Sequence, residues 1–122
     1  MAMTDKTRTK VDLGSMTVRQ LRARRRRLAR SLPEVEGLIS GAVVEQGRRC
    51  GKEGCRCSRG ELHGPYTYVL LPRDGGRTRT VYVPAAAAKA VRAGAATSAQ
   101  VRAALGEISV INIELLSRGE LR

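Results

Sequence analysis

The first regular pattern in the chain begins at Thr17. Val18, Leu21, Leu28 and Leu32 recur at spacings of three, seven and four, with Arg25 in the missing heptad place and charged, polar or alanine residues between. That is one apolar stripe along a helix. Thr17-Val18-Arg19-Gln20 fits a capping box, in which the Thr hydroxyl and the Gln amide satisfy free backbone donors of the first turn. Pro33 lacks the amide that a helix interior requires. The pattern therefore predicts a helix over 17–32, followed by a short amphipathic turn or helix from Pro33 to Ser40.

The period then changes. Val43 and Val44 lead an extended stretch between Gly41 and Cys50, and Tyr66-Thr67-Tyr68-Val69-Leu70-Leu71 has the aromatic and β-branched content of a strand. Arg77-Thr78-Arg79-Thr80-Val81-Tyr82-Val83 is its natural partner across the hairpin signal Asp74-Gly75-Gly76. Residues 41–83 thus predict three antiparallel strands, with a cysteine-rich loop joining the first two. Pro84 suits a first helical position, and Ala85 to Ala104 has high helix propensity. Ala87, Val91, Gly94, Ser98, Val101, Leu105, Ile108, Asn112 and Leu115 continue at alternating spacings of four and three. Such a 3.5-residue repeat marks either the core-facing sides of two helices broken near Gly94 or Gly106, or a coiled-coil seam.

The expected fold class is α+β. A small three-stranded antiparallel sheet with a metal loop is flanked by a basic N-terminal helix and long C-terminal helices. Residues 1–16 form a flexible basic arm, and 17–122 form a single domain whose 84–118 segment is helical.

Composition sharpens this picture. The chain has 122 residues and three tyrosines, but no Phe and no Trp. A core built from Leu, Val, Ile and Ala is light, and small light cores usually lean on a metal or a partner chain. The formal charge is +12, and 15 of the 23 basic residues, against 6 of the 11 acidic ones, lie within the first sixty positions. A polyanion is the expected partner, nucleic acid first. No apolar run approaches the roughly 20 residues of a membrane span, and Met1 to Gly14 lacks a secretory signal. The expected location is cytoplasmic, with nucleoid association if the ligand is DNA, and no membrane partner.

The strongest chemical signal is Cys50-Gly51-Lys52-Glu53-Gly54-Cys55-Arg56-Cys57, followed by His63. Every cysteine and the single histidine of the chain fall within this stretch. Three thiolates and an imidazole are a usual closed set for one structural Zn²⁺. Gly51 and Gly54 let the loop turn tightly, with backbone amides available to the sulfurs. The spacing differs from the common C-x2-C pair, so an iron–sulfur site and free thiols stay open as alternatives. Burial of these cysteines as small hydrophobes fits poorly beside Lys52, Glu53, Arg56, Ser58 and Arg59. Zinc on three thiolates would lower the net charge only to about +11. Catalysis is not expected: a closed site has no open position for water, and Glu53, Glu61 and Asp74 show no pairing.

The basic residues form two sets. Arg19, Arg22, Arg24, Arg25, Arg26, Arg27 and Arg30 surround the apolar stripe of the first helix. Arg48, Arg49, Lys52, Arg56 and Arg59 flank the cysteine loop, and Arg77 and Arg79 add to them from the hairpin. Arginine suits bidentate phosphate contact. Seven contacts from the helix would give a log–log salt slope of about −6 on duplex DNA. DNA is expected ahead of RNA. Tyr66 and Tyr68 could stack on bases, but their scarcity favours a core role.

Arg48-Arg49-Cys50-Gly51-Lys52-x-Gly54-Cys55-Arg56-Cys57, His63-Gly64-Pro65-Tyr66-x-Tyr68 and Arg77-Thr78-Arg79-x-Val81-Tyr82-Val83-Pro84 together resemble a prokaryotic zinc-knuckle-like family labelled a domain of unknown function. The resemblance runs from about Thr17 to the C-terminus and departs in the alanine-rich Ala85 to Ala104. Members of that family occur beside recombinases and transposases of mobile elements. The resemblance therefore implies a DNA-related accessory role with such an enzyme as partner. The rival expectation is a protein-interaction or oligomerisation adaptor, whose C-terminal heptads bind a recombinase or a second copy while the arginines meet acidic protein surface.

Overall fold

Thr17 caps the first helix as its sequence requires. Its side chain accepts from the Gln20 amide, and the Gln20 side chain accepts from the Thr17 amide. A computed structural model describes residues 12–72 and 74–122 of the protein. Its elements are α1 (Val18–Arg30), β1 (Ala42–Arg48), β2 (His63–Pro72), β3 (Thr78–Val83) and α2 (Ala88–Ser117), with short 3-10 turns at Leu13–Ser15, Arg56–Arg59, Asp74–Gly76 and Ala85–Ala87. The α+β class with one three-stranded antiparallel sheet and a long C-terminal helix is as expected. Pro33 to Ser40 takes the turn rather than the helix of its two expected forms, with the Leu38 amide donating to the Val35 carbonyl at 3.1 Å. The C-terminal segment is one helix, unbroken at Gly94 and Gly106.

Where 17–122 was expected as a single domain, the contacts divide into two compact units. One comprises the described residues up to Leu32 together with Val101–Arg122, and the other is Pro33–Gln100. Residues of α2 belong to both.

In the first unit Leu21, Ile111 and Leu115 are fully buried, with Leu13, Met16, Val18 and Leu28 packed against them. Two sequence expectations change here. Leu13 and Met16 were assigned to a flexible arm, yet they pack on this core. The Arg118 guanidinium donates to the Met16 carbonyl at 2.7 Å and to the Leu13 carbonyl at 2.9 Å. The rest of the arm, residues 1–11, lies outside the described residues. The heptad positions hold here only in part: Leu115 is fully buried, but Leu105 is 52% exposed and Ile111, not Asn112, enters the core. Burying Ile111 removes hydrocarbon from water, whereas burying Asn112 would strand an amide. Asn112 instead lies at the edge, where its Oδ1 accepts from Arg25 at 2.7 Å. Leu32, the last residue of the α1 stripe, is exposed.

The second unit is the sheet, ordered β1-β2-β3, with the first half of α2. Val43, Val69 and Val81 align across the three strands on one face. Ala87, in the turn before α2, and Val91 of α2 border Val69 and Val81 around an apolar cavity of about 320 Å³. Arg92 pairs with Glu45 at 2.7 Å, and the Ile39 amide donates to the Gly94 carbonyl at 3.1 Å. On the other face Val44, Tyr68 and Tyr82 align, and Tyr66 lies opposite Gln46.

Near its start β2 carries one residue more than β1, since Gln46 pairs with Tyr66 but Arg48 pairs with His63. Strict alternation would send His63 to the face opposite Tyr66. The extra residue returns it to the tyrosine face, beside Arg48.

Candidate metal centre and basic surfaces

The loop between β1 and β2 gathers its donors through tight turns. Gly51 and Gly54 adopt left-handed backbone conformations, with φ of 76° and 79°, which other residues rarely tolerate. The Cys55 amide closes one turn on the Lys52 carbonyl at 3.3 Å. Cys57 follows in the short 3-10 turn and is buried, at 2% exposure. His63 comes from the first position of β2.

The result is a cluster of Cys50, Cys55, Cys57 and His63 whose donor atoms all lie within 4.8 Å of one another. Cys50 Sγ is 3.5 Å from Cys57 Sγ, and Cys55 Sγ is 3.2 Å from His63 Nε2. A tetrahedral ion with bonds of roughly 2.0–2.3 Å has ligand–ligand edges of about 3.5–3.8 Å. None of the three cysteines is in a disulfide. Three soft sulfurs and one imidazole nitrogen at this separation fit a metal ion, and these four residues could hold one.

Backbone amides support the sulfurs. Cys50 N–H donates to Cys57 Sγ and Lys52 N–H donates to Cys50 Sγ, each at 3.4 Å. Such donors stabilise thiolate and orient a ligand. The Cys50 amide, the largest influence, draws the Cys57 thiol down to about 7 against the opposing effect of burial. The Lys52 amide alone would lower Cys50, but the neighbouring thiols Cys57 and Cys55, with some burial, outweigh it and hold Cys50 above the ordinary value.

The seven arginines of α1 do not behave alike. Arg22 donates to the Glu120 carbonyl at 2.7 Å and pairs with its carboxylate at 3.1 Å. Arg24 is paired with Glu107, and Arg25 reaches Asn112 and the Arg122 carbonyl. These three hold α1 within its own unit. Arg19, Arg26, Arg27 and Arg30 are exposed and make no hydrogen bond or ion pair among the described residues.

Around the loop, Arg49, Lys52, Arg56 and Arg59 are exposed, and Arg56 stands 4.0 Å from Glu61. Arg48 donates from Nε to the Tyr68 hydroxyl at 2.9 Å, with its guanidinium carbon 4.6 Å from the centre of that ring. Arg77 and Arg79 do not join this set. Arg79 pairs with Leu71 near the far end of β2 and shares the valine face, eight positions from His63. At about 3.3 Å per residue that is most of the length of the sheet.

Tyr82 is the residue that the sequence reading left out of the site. It packs edge-on against Tyr68 at 5.8 Å and Tyr66 at 6.5 Å between ring centres. A hairpin centred on Gly75 pairs position 68 with position 82, so the signal was present in the turn.

A Cys3His loop set between two strands of an open three-stranded sheet defines a small α+β protein with a candidate metal centre. The chain belongs to the family described as Domain of unknown function (DUF6788), which matches residues 18–93. The match takes in α1, the whole sheet and the metal loop, and ends within the first turns of α2, short of the C-terminus to which the sequence resemblance extended. No curated protein and no solved structure matches the chain. Among the described residues no helix is long and apolar enough to cross a membrane.

Proposed function

We propose that the protein is a non-enzymatic, zinc-stabilised nucleic-acid-binding accessory protein, with DNA favoured over RNA. The observation that carries this reading is the division among the α1 arginines. Arg19, Arg26, Arg27 and Arg30 are exposed and have no counter-charge among the described residues, although Arg22, Arg24 and Arg25 nearby all find partners. Unpaired guanidiniums on one helix repel each other, and phosphates relieve that repulsion. The cations of the metal loop form a second such group. Zinc is the favoured ion because the donor set is closed and sulfur-rich. The same closure, with His63 as the chain's one imidazole, supports a structural rather than catalytic centre. Cysteines that serve as metal ligands rather than in disulfides suit a reducing cytoplasm, with the nucleoid as the proposed place of action. A recombinase or transposase of a mobile element is the proposed enzyme partner, on the strength of the sequence resemblance.

Four phosphate contacts from α1 give a log–log salt slope of about −4, not the −6 of seven. The test compares duplex-DNA binding by wild type and by a variant with Arg19, Arg26, Arg27 and Arg30 changed to Ala, across a salt series. The variant is expected to lose about 4 from the slope. Equal slopes, or no binding by wild type at low salt, would sink the reading. Elemental analysis should give about one zinc per chain, and iron with labile sulfide would replace zinc in the proposal.

A second reading has its own observation. Leu105, Val110, Ile113 and Leu116 of α2 are all exposed. They favour an adaptor whose C-terminal helix meets another protein or a second copy. Polar substitution of Leu105, Ile113 and Leu116 would then abolish self-association seen in sedimentation while sparing DNA binding.

A further inference from the structure

The three tyrosines of the chain share one face of the sheet, and two of them do not serve as core. Tyr68 is buried, but Tyr66 is 37% and Tyr82 is 54% exposed. Burying a tyrosine ring is among the larger hydrophobic gains available to a chain without Phe or Trp. Leaving two in water, edge to face about Tyr68, is costly unless something else covers them. On the opposite face Val91 of α2 lines a cavity with Val69 and Val81, and Arg92 pairs with Glu45; Tyr82 also borders that cavity but keeps about half of its surface in solvent.

The surroundings of these rings are cationic. Arg48 stacks on Tyr68 from the same face, and the bulge at the start of β2 directs His63, and with it the metal loop, to that side. Arg49, Lys52, Arg56 and Arg59 are exposed on the loop, against two carboxylates, Glu53 and Glu61. Exposed aromatic rings on a sheet bordered by exposed cations, of which, among the described residues, Arg56 alone lies near a carboxylate, Glu61, are the two parts of a single-strand platform, stacking for the bases and charge for the backbone. In a duplex the base faces are already stacked on one another, so these rings have nothing to gain there. An acidic protein would answer the cations but would leave the π surfaces without a matching partner.

We propose that the face bearing Tyr66, Tyr68 and Tyr82 binds single-stranded nucleic acid, with unpaired bases stacked on Tyr66 and Tyr82 and the backbone drawn by Arg48 and the cations of the metal loop. Tyr68 is a positioning residue: its ring holds Arg48 and braces Tyr82. A metal held by Cys50, Cys55, Cys57 and His63 would fix the loop cations relative to the rings. This assignment deepens the nucleic-acid reading above and names an unpaired strand as the ligand of the sheet, separate from the duplex contacts of α1.

The chain offers a direct reporter. With no Trp, its intrinsic fluorescence comes from these three tyrosines alone. Zinc-loaded wild type, Tyr82→Ala, Tyr66→Ala and Tyr82→Phe are titrated with a labelled oligothymidylate and with a labelled duplex. Wild type is expected to bind the oligothymidylate with quenching of tyrosine emission. Each alanine variant weakens that binding by about tenfold, and Tyr82→Phe restores it, because the ring stacks without its hydroxyl. Duplex affinity stays unchanged in all three, and circular dichroism and zinc content confirm folding.

Single-strand binding by wild type with no loss in either folded alanine variant would overturn the assignment, as would saturation without quenching. Duplex binding without single-strand binding would overturn it too, yet leave the α1 reading standing. Binding of neither would remove both.

Discussion

Gly94 and Gly106 lie on the same helix, yet replacing them with alanine should have opposite effects. In a helix interior alanine is favoured over glycine by about 1 kcal/mol, through backbone entropy alone. At Gly106 an added methyl would meet nothing within 4 Å, so that gain is realised. At Gly94 the methyl would sit 2.2 Å from the Gly37 carbonyl oxygen, with Ile39 Cγ1 and N each at 3.2 Å. A backbone oxygen cannot rotate aside as a flexible side chain would. The segment from Gly37 to Ile39 must lift off α2, and the Ile39 amide then loses its 3.1 Å bond to the Gly94 carbonyl. Overpacking costs about 1–3 kcal/mol and the hydrogen bond about 1 kcal/mol, against the 1 kcal/mol gained. Gly94→Ala should therefore destabilise by about 1–3 kcal/mol. On thermal unfolding followed by circular dichroism, at roughly 4 °C per kcal/mol, Gly94→Ala falls by about 4–12 °C and Gly106→Ala rises by up to about 4 °C. Two variants that shift in the same direction would refute the close approach of the Gly37 backbone to this helix.

The metal centre and the Arg118 tether make further expectations. Cys57→Ser removes a buried sulfur and should weaken zinc binding by more than about 100-fold, beyond the effect typical of supporting residues; competition against a chromophoric chelator measures it. Zinc requires thiolates, so protons compete with it. Cys50, held above its ordinary value, gives up a full proton on binding at neutral pH, whereas Cys57, drawn down to about 7, gives up only part of one. Zinc affinity should thus fall as pH drops through 7, and calorimetry in buffers of different ionisation heat counts the protons; a pH-independent affinity would contradict thiolate ligation. Arg118→Ala cuts the guanidinium from the Leu13 and Met16 carbonyls and from Glu114. Allowing for partial exposure, the loss should be about 2 kcal/mol in urea unfolding, and a shift within error would show that the tether is idle.

The elements were legible because their signals are local. Thr17 and Gln20 specify a cap within one turn, and Asp74-Gly75-Gly76 specifies a hairpin whose pairing follows from its centre. The crowding of Cys50, Cys55, Cys57 and His63 in one loop announced the candidate metal site before any geometry was known. The limits were equally physical. Gly94 looked like a weak point in a helix, since propensity counts only the residue's own backbone. Its use, admitting the Gly37 carbonyl, belongs to a segment more than fifty positions away.

Tertiary structure alone decided which of several equivalent residues does what. Seven arginines on one helix are interchangeable in the sequence, because a guanidinium carries the same charge wherever it points. Only the placement of Glu107, Asn112 and Glu120 separates Arg22, Arg24 and Arg25, which are partnered, from Arg19, Arg26, Arg27 and Arg30, which have no partner among the described residues. Leu105 and Ile111 are likewise both apolar at helical spacing, and the packing of α1 chose Ile111. The sheet shows the same division. Strand pattern places Tyr66 and Tyr68 on one face, but the extra residue in β2 brings His63 to that face as well. Local spacing determines elements and donor sets; the sides they share depend on register and on distant partners, which no stretch of the chain contains.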